Sequence, residues 1–249
     1  MGKIFCVANQ KGGVGKTTTA ISLAAGMGRS EHRTLLIDLD PQCNATSGLG
    51  FAPTARHPLA GEGLDLRNSF VPTKIQNLEI LPGCRSFSDI EILAAGDRGR
   101  LGHLARTLAE NISDYDCVFI DCPPSMGPMT RAALTWSTEV IMPIQCEYFA
   151  MEGLTQMLEI MTRIMLGKQG TLAFAGIVLT MYDPSLELTR EVDAEVRDFF
   201  GEVVFNTVIP RDVAISEAPS HGKSIFEYAP RSRGARAYAE LCLEVLDYV

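Results

Sequence analysis

Short apolar runs and stretches of helical periodicity alternate along the chain. Runs rich in valine, isoleucine and leucine predict buried strands, and they occupy residues 3–8, 34–40, 78–82, 117–121, 139–144, 175–183 and 203–205. Apolar residues at helical spacing predict helices over residues 17–27, 87–95, 99–111, 151–166, 187–200 and 231–247. This alternation favours the α/β class, with a mostly parallel, twisted sheet and helices on both faces. Residues 41–75 are rich in proline and glycine and predict a loop.

The turn between the first strand and the first helix is rich in glycine, with the sequence NQKGGVGKTTT over residues 9–19. Its glycines reach backbone angles that are closed to other residues and expose N–H groups, which bind phosphate at a helix N-terminus. In the P-loop pattern, Lys16 reaches the β- and γ-phosphates and the Thr17 hydroxyl binds Mg²⁺. The predicted ATP-binding residues of this turn are Gly12, Gly13, Val14, Gly15, Lys16, Thr17 and Thr18.

Two positions depart from the general P-loop pattern. Gln10 stands where the pattern has glycine, and Lys11 is a second lysine five residues before Lys16. Two lysines so placed do not reach one phosphate face from the same side, so we expect Lys11 to reach a nucleotide held by another subunit. The alternative is a glycine-rich turn with two solvated lysines.

Carboxylates follow two of the predicted strands. Asp38 and Asp40 end the strand over 34–40, and Asp121 ends the strand over 117–121. Active groups in parallel sheets lie at the carboxyl ends of strands, where Asp121 would hold Mg²⁺ through water. The alternative for the first two acids is that they cap the following turn at Pro41.

Composition indicates an ordinary globular chain of 249 residues, 46% hydrophobic and 21% charged, which predicts one domain over residues 1–249. It contains no apolar run of 18 residues, so we expect a cytoplasmic protein without a membrane partner. Seven scattered cysteines, never in C-x-x-C spacing, predict neither a disulfide framework nor a zinc site.

The segment KGGVGKTT resembles the deviant Walker A motif of the ParA/MinD group of ATPases. The chain is most similar to the small ParA/Soj partition ATPases, including LLIDLDPQ over 35–42 and PQCNAT over 41–46, where Cys43 replaces a glycine. The resemblance implies a P-loop NTPase that hydrolyses ATP with Mg²⁺ and in which Asp40 orients or activates the attacking water. The implied catalytic residues are Lys11, the signature lysine, Lys16 and Asp40. The implied metal residues are Thr17, Asp38 and Asp121.

The resemblance also implies a switch in chromosome or plasmid partitioning. ATP favours a homodimer, and hydrolysis stimulated by a ParB-like partner protein releases it, in the cytoplasm and in association with the nucleoid. The family's adenine-packing loop corresponds to IPRD, which makes Pro210 and Asp212 implied base contacts, although the family usually has asparagine at position 212. The last helix becomes acidic, unlike the basic membrane-binding helix of MinD-type proteins.

Non-specific DNA binding is the implication that the sequence matches least well. Ser185 and Ala214 occupy the two positions where Soj-like proteins carry arginines associated with DNA, and the net charge of the chain is −8. Other basic residues could replace the lost phosphate contacts, and solvated side chains are the alternative. The candidates are Arg190, Arg211, Lys223, Arg231, Arg233 and Arg236.

Two rival functions fit the same motifs. One is a ParA-like ATPase that positions another cargo, with weak or no DNA binding. The other is a metabolic enzyme of the superfamily, such as a dethiobiotin-synthetase-like ligase that uses ATP to activate a small carboxylate. Lys11 and the similarity through IPRDVAISEAP, residues 209–219, argue against the ligase.

Overall fold

An eight-stranded sheet forms the centre of the described chain, which in the computed structural model comprises residues 2–60, 66–85, 98–147, 159, 162 and 172–249. The strands are β1 (Lys3–Val7), β2 (Thr34–Asp38), β3 (Val71–Pro72), β4 (Leu78–Leu81), β5 (Cys117–Asp121), β6 (Glu139–Gln145), β7 (Ala173–Tyr182) and β8 (Val204–Pro210). Their order is β3-β4-β2-β5-β1-β6-β7-β8, with β3 antiparallel to β4 and the other neighbours parallel. The predicted α/β class with a mostly parallel sheet is confirmed.

Helices connect the strands within the described ranges. They are α1 (Lys16–Arg29), α2 (Asn44–Gly48), α3 (Arg98–Asn111), α4 (Pro128–Trp136), α5 (Glu187–Phe200), α6 (Val213–Glu217), α7 (Ile225–Tyr228) and α8 (Arg233–Leu246). Short 3₁₀ turns lie at Pro58–Ala60, Leu66–Ser69, Gly201–Val203 and Ala218–His221.

The strands are apolar at consecutive positions because helices cover both faces of the sheet. Along β1, Ile4 and Cys6 enter a core that includes α4, whereas Phe5 and Val7 enter a second core that includes α1 and α8. Phe5 stacks on Phe119 of β5 with ring centroids 5.1 Å apart. Two hydrophobic layers therefore hold β1 and β5 side by side.

The strand order brings three carboxyl ends together at one edge. β5 lies between β2 and β1, and its last residue, Asp121, is in register with Asp38 of β2 and with Val7 of β1. The residues that follow β1, β2 and β5 therefore share this edge, as expected for a site in a parallel sheet.

Most predicted elements match the described ones within two residues, and two predictions are wrong. The predicted loop over 41–75 contains α2, 3₁₀ turns and β3, and the strand predicted over 203–205 begins at Val204 and continues to Pro210 as β8. The pieces within 41–75 are short, and only tertiary contacts stabilise them. In β8 the polar residues Asn206 and Thr207 interrupt the apolar run, so the pattern predicts too short a strand. The predicted helices over 87–95 and 151–166 lie outside the described residues, apart from positions 159 and 162.

All seven cysteines are buried thiols, and the Sγ atoms of Cys6 and Cys122 lie 3.3 Å apart. In the described part of the chain, no helix is both long enough and apolar enough to cross a bilayer.

Candidate functional site

The glycine-rich loop joins β1 to α1 at the shared carboxyl edge. Gly13 has φ +75° and Gly15 has φ +90°, a left-handed conformation that glycine adopts without steric cost. Gly15 is the N-cap of α1, and Gly12 and Gly13 are exposed. The loop therefore presents backbone amides at a helix N-terminus, which is the local structure that binds phosphate.

Lys16 begins α1 and points back under the loop. It is 6% exposed, and its Nζ donates a hydrogen bond of 2.7 Å to the carbonyl oxygen of Lys11. Burial lowers the pKa of this ammonium, although the nearby carboxylates of Asp121 and Asp40 oppose the shift. A buried ammonium between a glycine loop and two acids is suited to binding an anion.

Asp121 has a buried carboxylate without normal hydrogen bonds. It is 0% exposed, and neither carboxylate oxygen has a hydrogen-bond partner among the described residues. Burial and then the charge of Asp38 raise its pKa well above the ordinary value, while the neighbouring Thr17 hydroxyl and Lys16 act in the opposite direction. Such an orphaned carboxylate beside a threonine hydroxyl fits an Mg²⁺ ion or its water ligands.

Asp38, by contrast, is fully engaged with its own loop. Its Oδ1 accepts a hydrogen bond of 3.1 Å from the Asp40 amide, and its Oδ2 accepts from the amide and the hydroxyl of Thr46 at 2.8 and 2.6 Å. Burial raises the pKa of Asp38 to about 6, against the effect of the Thr46 bonds. Asp38 thus holds the loop that carries Asp40, and its place in the metal shell stays a prediction.

Two residues of this arrangement escaped the sequence analysis. Thr46 of α2 also accepts a hydrogen bond of 2.8 Å from the Gly83 amide, which ties the loop after β2 to the end of β4. A Cβ on Gly83 would lie 2.9 Å from Cγ of Asp38, so a side chain at position 83 would displace this carboxylate. Thr46 belongs to the PQCNAT segment, which was a usable signal, whereas nothing in the sequence marked Gly83.

His57 contacts the same strand end through its ring. Its Nδ1 accepts a hydrogen bond of 3.2 Å from the Leu59 amide, so the ring carries its proton on Nε2, which lies 3.3 Å from the carbonyl oxygen of Asp38. Burial lowers the pKa of His57 to about 4. The imidazole is therefore neutral at pH 7.

Asp40 lies after the end of β2 and is 5% exposed. Its Oδ1 accepts a hydrogen bond of 2.9 Å from the Gln42 amide. Its carbonyl accepts from the amide of Cys43 at 2.8 Å. Cys43, in the glycine position of the family segment, keeps a left-handed φ of +53°, so the turn survives the substitution at some cost in backbone strain.

Lys11 is held within its own subunit in this structure. Its amide donates to Oδ1 of Asn9 at 3.0 Å, and its Nζ forms a 2.7 Å ion pair with Glu147, which also accepts a hydrogen bond from Gln145. Both partners of the ion pair are more than one third exposed. An exposed pair of this kind contributes only about 0–1 kcal/mol, so it opens easily if Lys11 meets a phosphate.

The two predicted base contacts lie at the end of β8. Pro210 is its last residue, and Asp212 is the N-cap of α6. The Asp212 carboxylate accepts hydrogen bonds from the Ala214 amide at 3.0 Å and from the Gly234 amide at 2.9 Å. An acid here caps α6 and also accepts a bond from the first turn of α8, which explains an aspartate at this position. Contact with a base stays a prediction.

All the candidate DNA-binding residues are exposed, and some of them lie close together. Arg233 donates a hydrogen bond to the carbonyl oxygen of Arg211, and both guanidinium groups help to lower the pKa of Asp183 after the larger effect of Ser185. The exposed set is Arg190, Arg211, Lys223, Arg231, Arg233 and Arg236. Arg211 and Arg233 therefore lie beside the Asp183–Ser185 turn, where Soj-like proteins carry one of the two arginines.

Comparison with known proteins identifies the family. A family model described as an AAA domain matches residues 2–174. The chromosome-partitioning ATPase Soj of Treponema pallidum is 43% identical over 248 residues, with 99% of this chain and 98% of that protein covered. The sporulation initiation inhibitor protein Soj of Bacillus subtilis is 43% identical over 249 residues, with 98% of each covered.

A solved structure shares the fold over the same length. Cobyrinic acid a,c-diamide synthase from Mycobacterium smegmatis, with a bound ATP analogue and magnesium, is similar at a TM-score of 0.85 and 32% identity, covering 100% of this chain and 96% of that one. The full-length identity to the two Soj proteins agrees with the loop and the acids at the carboxyl edge. The chain belongs to the Soj/ParA family of partition ATPases.

Proposed function

We propose that the chain binds and hydrolyses ATP with Mg²⁺ at the carboxyl edge of its sheet, as one domain over residues 1–249. One observation carries the proposal: the glycine-rich loop, the buried ammonium of Lys16, Asp40 and the orphaned carboxylate of Asp121 share this edge. Phosphate binding alone would not require the two acids, whereas phosphoryl transfer does.

The roles follow from the position of each group. Amides of residues 12–17 and the Lys16 ammonium stabilise negative charge on the β- and γ-phosphate oxygens. Bound Mg²⁺ supplies further positive charge against the same oxygens, and Thr17 and Asp121 would hold it with Asp38 adjacent. Asp40 orients or activates the attacking water from a loop that Asp38 and Thr46 fix in place.

We propose further that ATP favours a homodimer in which Lys11 of each subunit contacts the nucleotide of the other. Breaking the exposed Lys11–Glu147 pair costs little, and a charge-assisted bond to phosphate replaces it. Hydrolysis then returns the protein to the monomer, which makes the ATPase a switch.

The mass of the protein in solution tests this assembly. In light scattering, the wild-type protein is expected at twice its 27.1 kDa mass with ATP and Mg²⁺, and as a monomer with ADP. Lys11→Ala should stay monomeric with ATP although it still binds the nucleotide, whereas Lys74→Ala, a matched change at an exposed lysine before β4, should dimerise normally. An ATP-dependent Lys11→Ala dimer would contradict the role given to Lys11.

The biological role that the family membership supports best is chromosome or plasmid partitioning with a ParB-like partner, in the cytoplasm and at the nucleoid. Both curated relatives described above carry the name Soj, and one is named a chromosome-partitioning ATPase. A partner protein that stimulates hydrolysis is the expected trigger of the switch.

DNA binding with ATP is expected to be weak and to depend on Arg211 and Arg233 beside the Asp183–Ser185 turn and on Arg231, which follows α7. Alanine at Arg211, Arg231 or Arg233 should lower DNA affinity uniformly across sequences and reduce the slope of log affinity against log salt by about 0.9 per lost phosphate contact. Fluorescence anisotropy over a salt series measures both quantities. Arg106→Ala on α3 is the matched control, and tight binding that ignores all three changes would place the DNA surface elsewhere.

A small-molecule ligase is the second candidate, because the solved structure at 32% identity is named cobyrinic acid a,c-diamide synthase. The two functions differ in what ATP turnover requires. A ligase turns over ATP only with its small carboxylate substrate, whereas a partition ATPase responds to a protein partner.

A further inference from the structure

Thr180 places a hydroxyl in an apolar stretch of β7. The residues before it, 176–179, are buried and apolar, and Thr180 itself is 2% exposed. A buried hydroxyl costs free energy unless it is hydrogen-bonded, and valine would fill nearly the same volume. The contacts of this hydroxyl therefore indicate why the position is polar.

These contacts reach the glycine-rich loop. Oγ1 of Thr180 lies 2.9 Å from the carbonyl oxygen of Val14 and 3.1 Å from that of Ile144, so two backbone acceptors share its single hydrogen. Its Cγ2 methyl lies 3.7 Å from the point where a Cβ on Gly15 would stand. One side chain of β7 thus lies against both residues of the Val14–Gly15 peptide.

Because that peptide is trans, the contact with Thr180 also sets the direction of the Gly15 N–H. The peptide is trans, and in a planar trans peptide the C=O and N–H bonds point in opposite directions. Because Thr180 holds the Val14 carbonyl toward β7, the Gly15 N–H points away from β7. The Gly15 carbonyl meanwhile accepts the first bond of α1, from the Thr19 amide at 2.9 Å.

We propose that Thr180 is a positioning residue for phosphate binding. Its hydroxyl holds the Val14 carbonyl so that the Gly15 N–H donates to a β- or γ-phosphate oxygen of the bound nucleotide. The inference rests on the proposed nucleotide site and extends it to a residue 166 positions away in sequence. A hydroxyl needed only to join β6 and β7 would be satisfied by Ile144 alone.

Substitutions at Thr180 test the proposal. Thr180→Val keeps the shape and removes the hydroxyl, and it should raise the Kd for ATP and for ADP about tenfold, because a misdirected amide loses its bond to a charged group. Thr180→Ser restores the hydroxyl and should bind within about twofold of the wild type, since it keeps the same donor. Titration calorimetry measures Kd, and the Tm of the nucleotide-free protein checks folding.

Thr34→Val is the matched control. Thr34 is fully buried at the amino end of β2, and its Oγ1 donates a 2.9 Å bond to the His32 carbonyl, so the same kind of bond is lost far from the loop. Its nucleotide affinity should equal that of the wild type. If Thr180→Val fails to fold, Thr180→Ala supplies the same comparison without the hydroxyl.

Three outcomes would overturn the proposal: wild-type affinity in the hydroxyl-free variant, equal weakness of Thr180→Ser, or equal weakness of Thr34→Val. Lys16→Ala separates this inference from the function on which it rests. Normal binding by Lys16→Ala would remove the nucleotide site and the role of Thr180 together. Loss of binding by Lys16→Ala with normal binding by Thr180→Val would leave the site intact and remove only the role of Thr180.

Discussion

Lys16→Ala is expected to weaken ATP binding by about 100-fold or more. The ammonium is the buried positive charge at the glycine-rich loop, and its charge-assisted bonds to phosphate are among the strongest polar contacts in proteins. Without nucleotide, Nζ is satisfied by the Lys11 carbonyl. Equilibrium titration with a fluorescent ATP analogue measures the loss.

The loss should come from binding and not from unfolding. Burial lowers the pKa of Lys16, which means that burying the ammonium costs free energy in the nucleotide-free protein, so its removal should not lower the Tm. Lys74→Ala, before the amino end of β4 and so away from the carboxyl edge, should retain wild-type affinity. Unchanged affinity in Lys16→Ala would refute the assignment of the nucleotide site.

Asp40→Ala is expected to slow ATP turnover by about 10²- to 10⁴-fold, the usual contribution of a positioned acid or base. Binding should persist because Asp40 does not belong to the phosphate-binding loop. The ATP-bound dimer should therefore accumulate at twice the 27.1 kDa monomer mass, measured by light scattering at saturating ATP. A monomer under these conditions would contradict the switch.

Asp40→Asn separates two ways in which Asp40 could act. The amide oxygen of asparagine can still accept the hydrogen bond from Gln42 and orient a water, but it cannot take a proton. Turnover retained in Asp40→Asn would indicate orientation, and turnover lost would indicate activation. Asp198→Ala, at an exposed acid on α5, should hydrolyse ATP normally.

Local patterns sufficed to predict which residues meet at the carboxyl edge of the sheet. The loop needs glycines, Lys16 and Thr17 in a fixed order, because backbone angles and amide spacing depend on consecutive residues. Asp38, Asp40 and Asp121 were predictable because strands that end in acids place them at the carboxyl edge. The register of Asp38 with Asp121 confirms that expectation of the fold.

Residues that act through long-range contacts left no local pattern. Gly83 is required because Asp38 lies against it, and His57 is neutral because it is buried against the end of β2. Thr180 meets Val14 only when β7 takes its place in the sheet. Each of these contacts joins residues from separate segments, so sequence periodicity, which reflects only neighbours along the chain, does not predict it.

The sequence by itself determined the α/β class, the glycine-rich loop between β1 and α1, and the acids that follow β2 and β5, since each depends on neighbours along the chain. Only the tertiary structure decided which of these carboxylates is hydrogen-bonded by the protein itself. Asp38 is hydrogen-bonded by Thr46, while Asp121 makes no hydrogen bond of normal geometry among the described residues, although both end buried strands. The physical reason is that the desolvation of a carboxylate and the donors within its reach depend on what packs against it. Strand order and distant loops determine that packing.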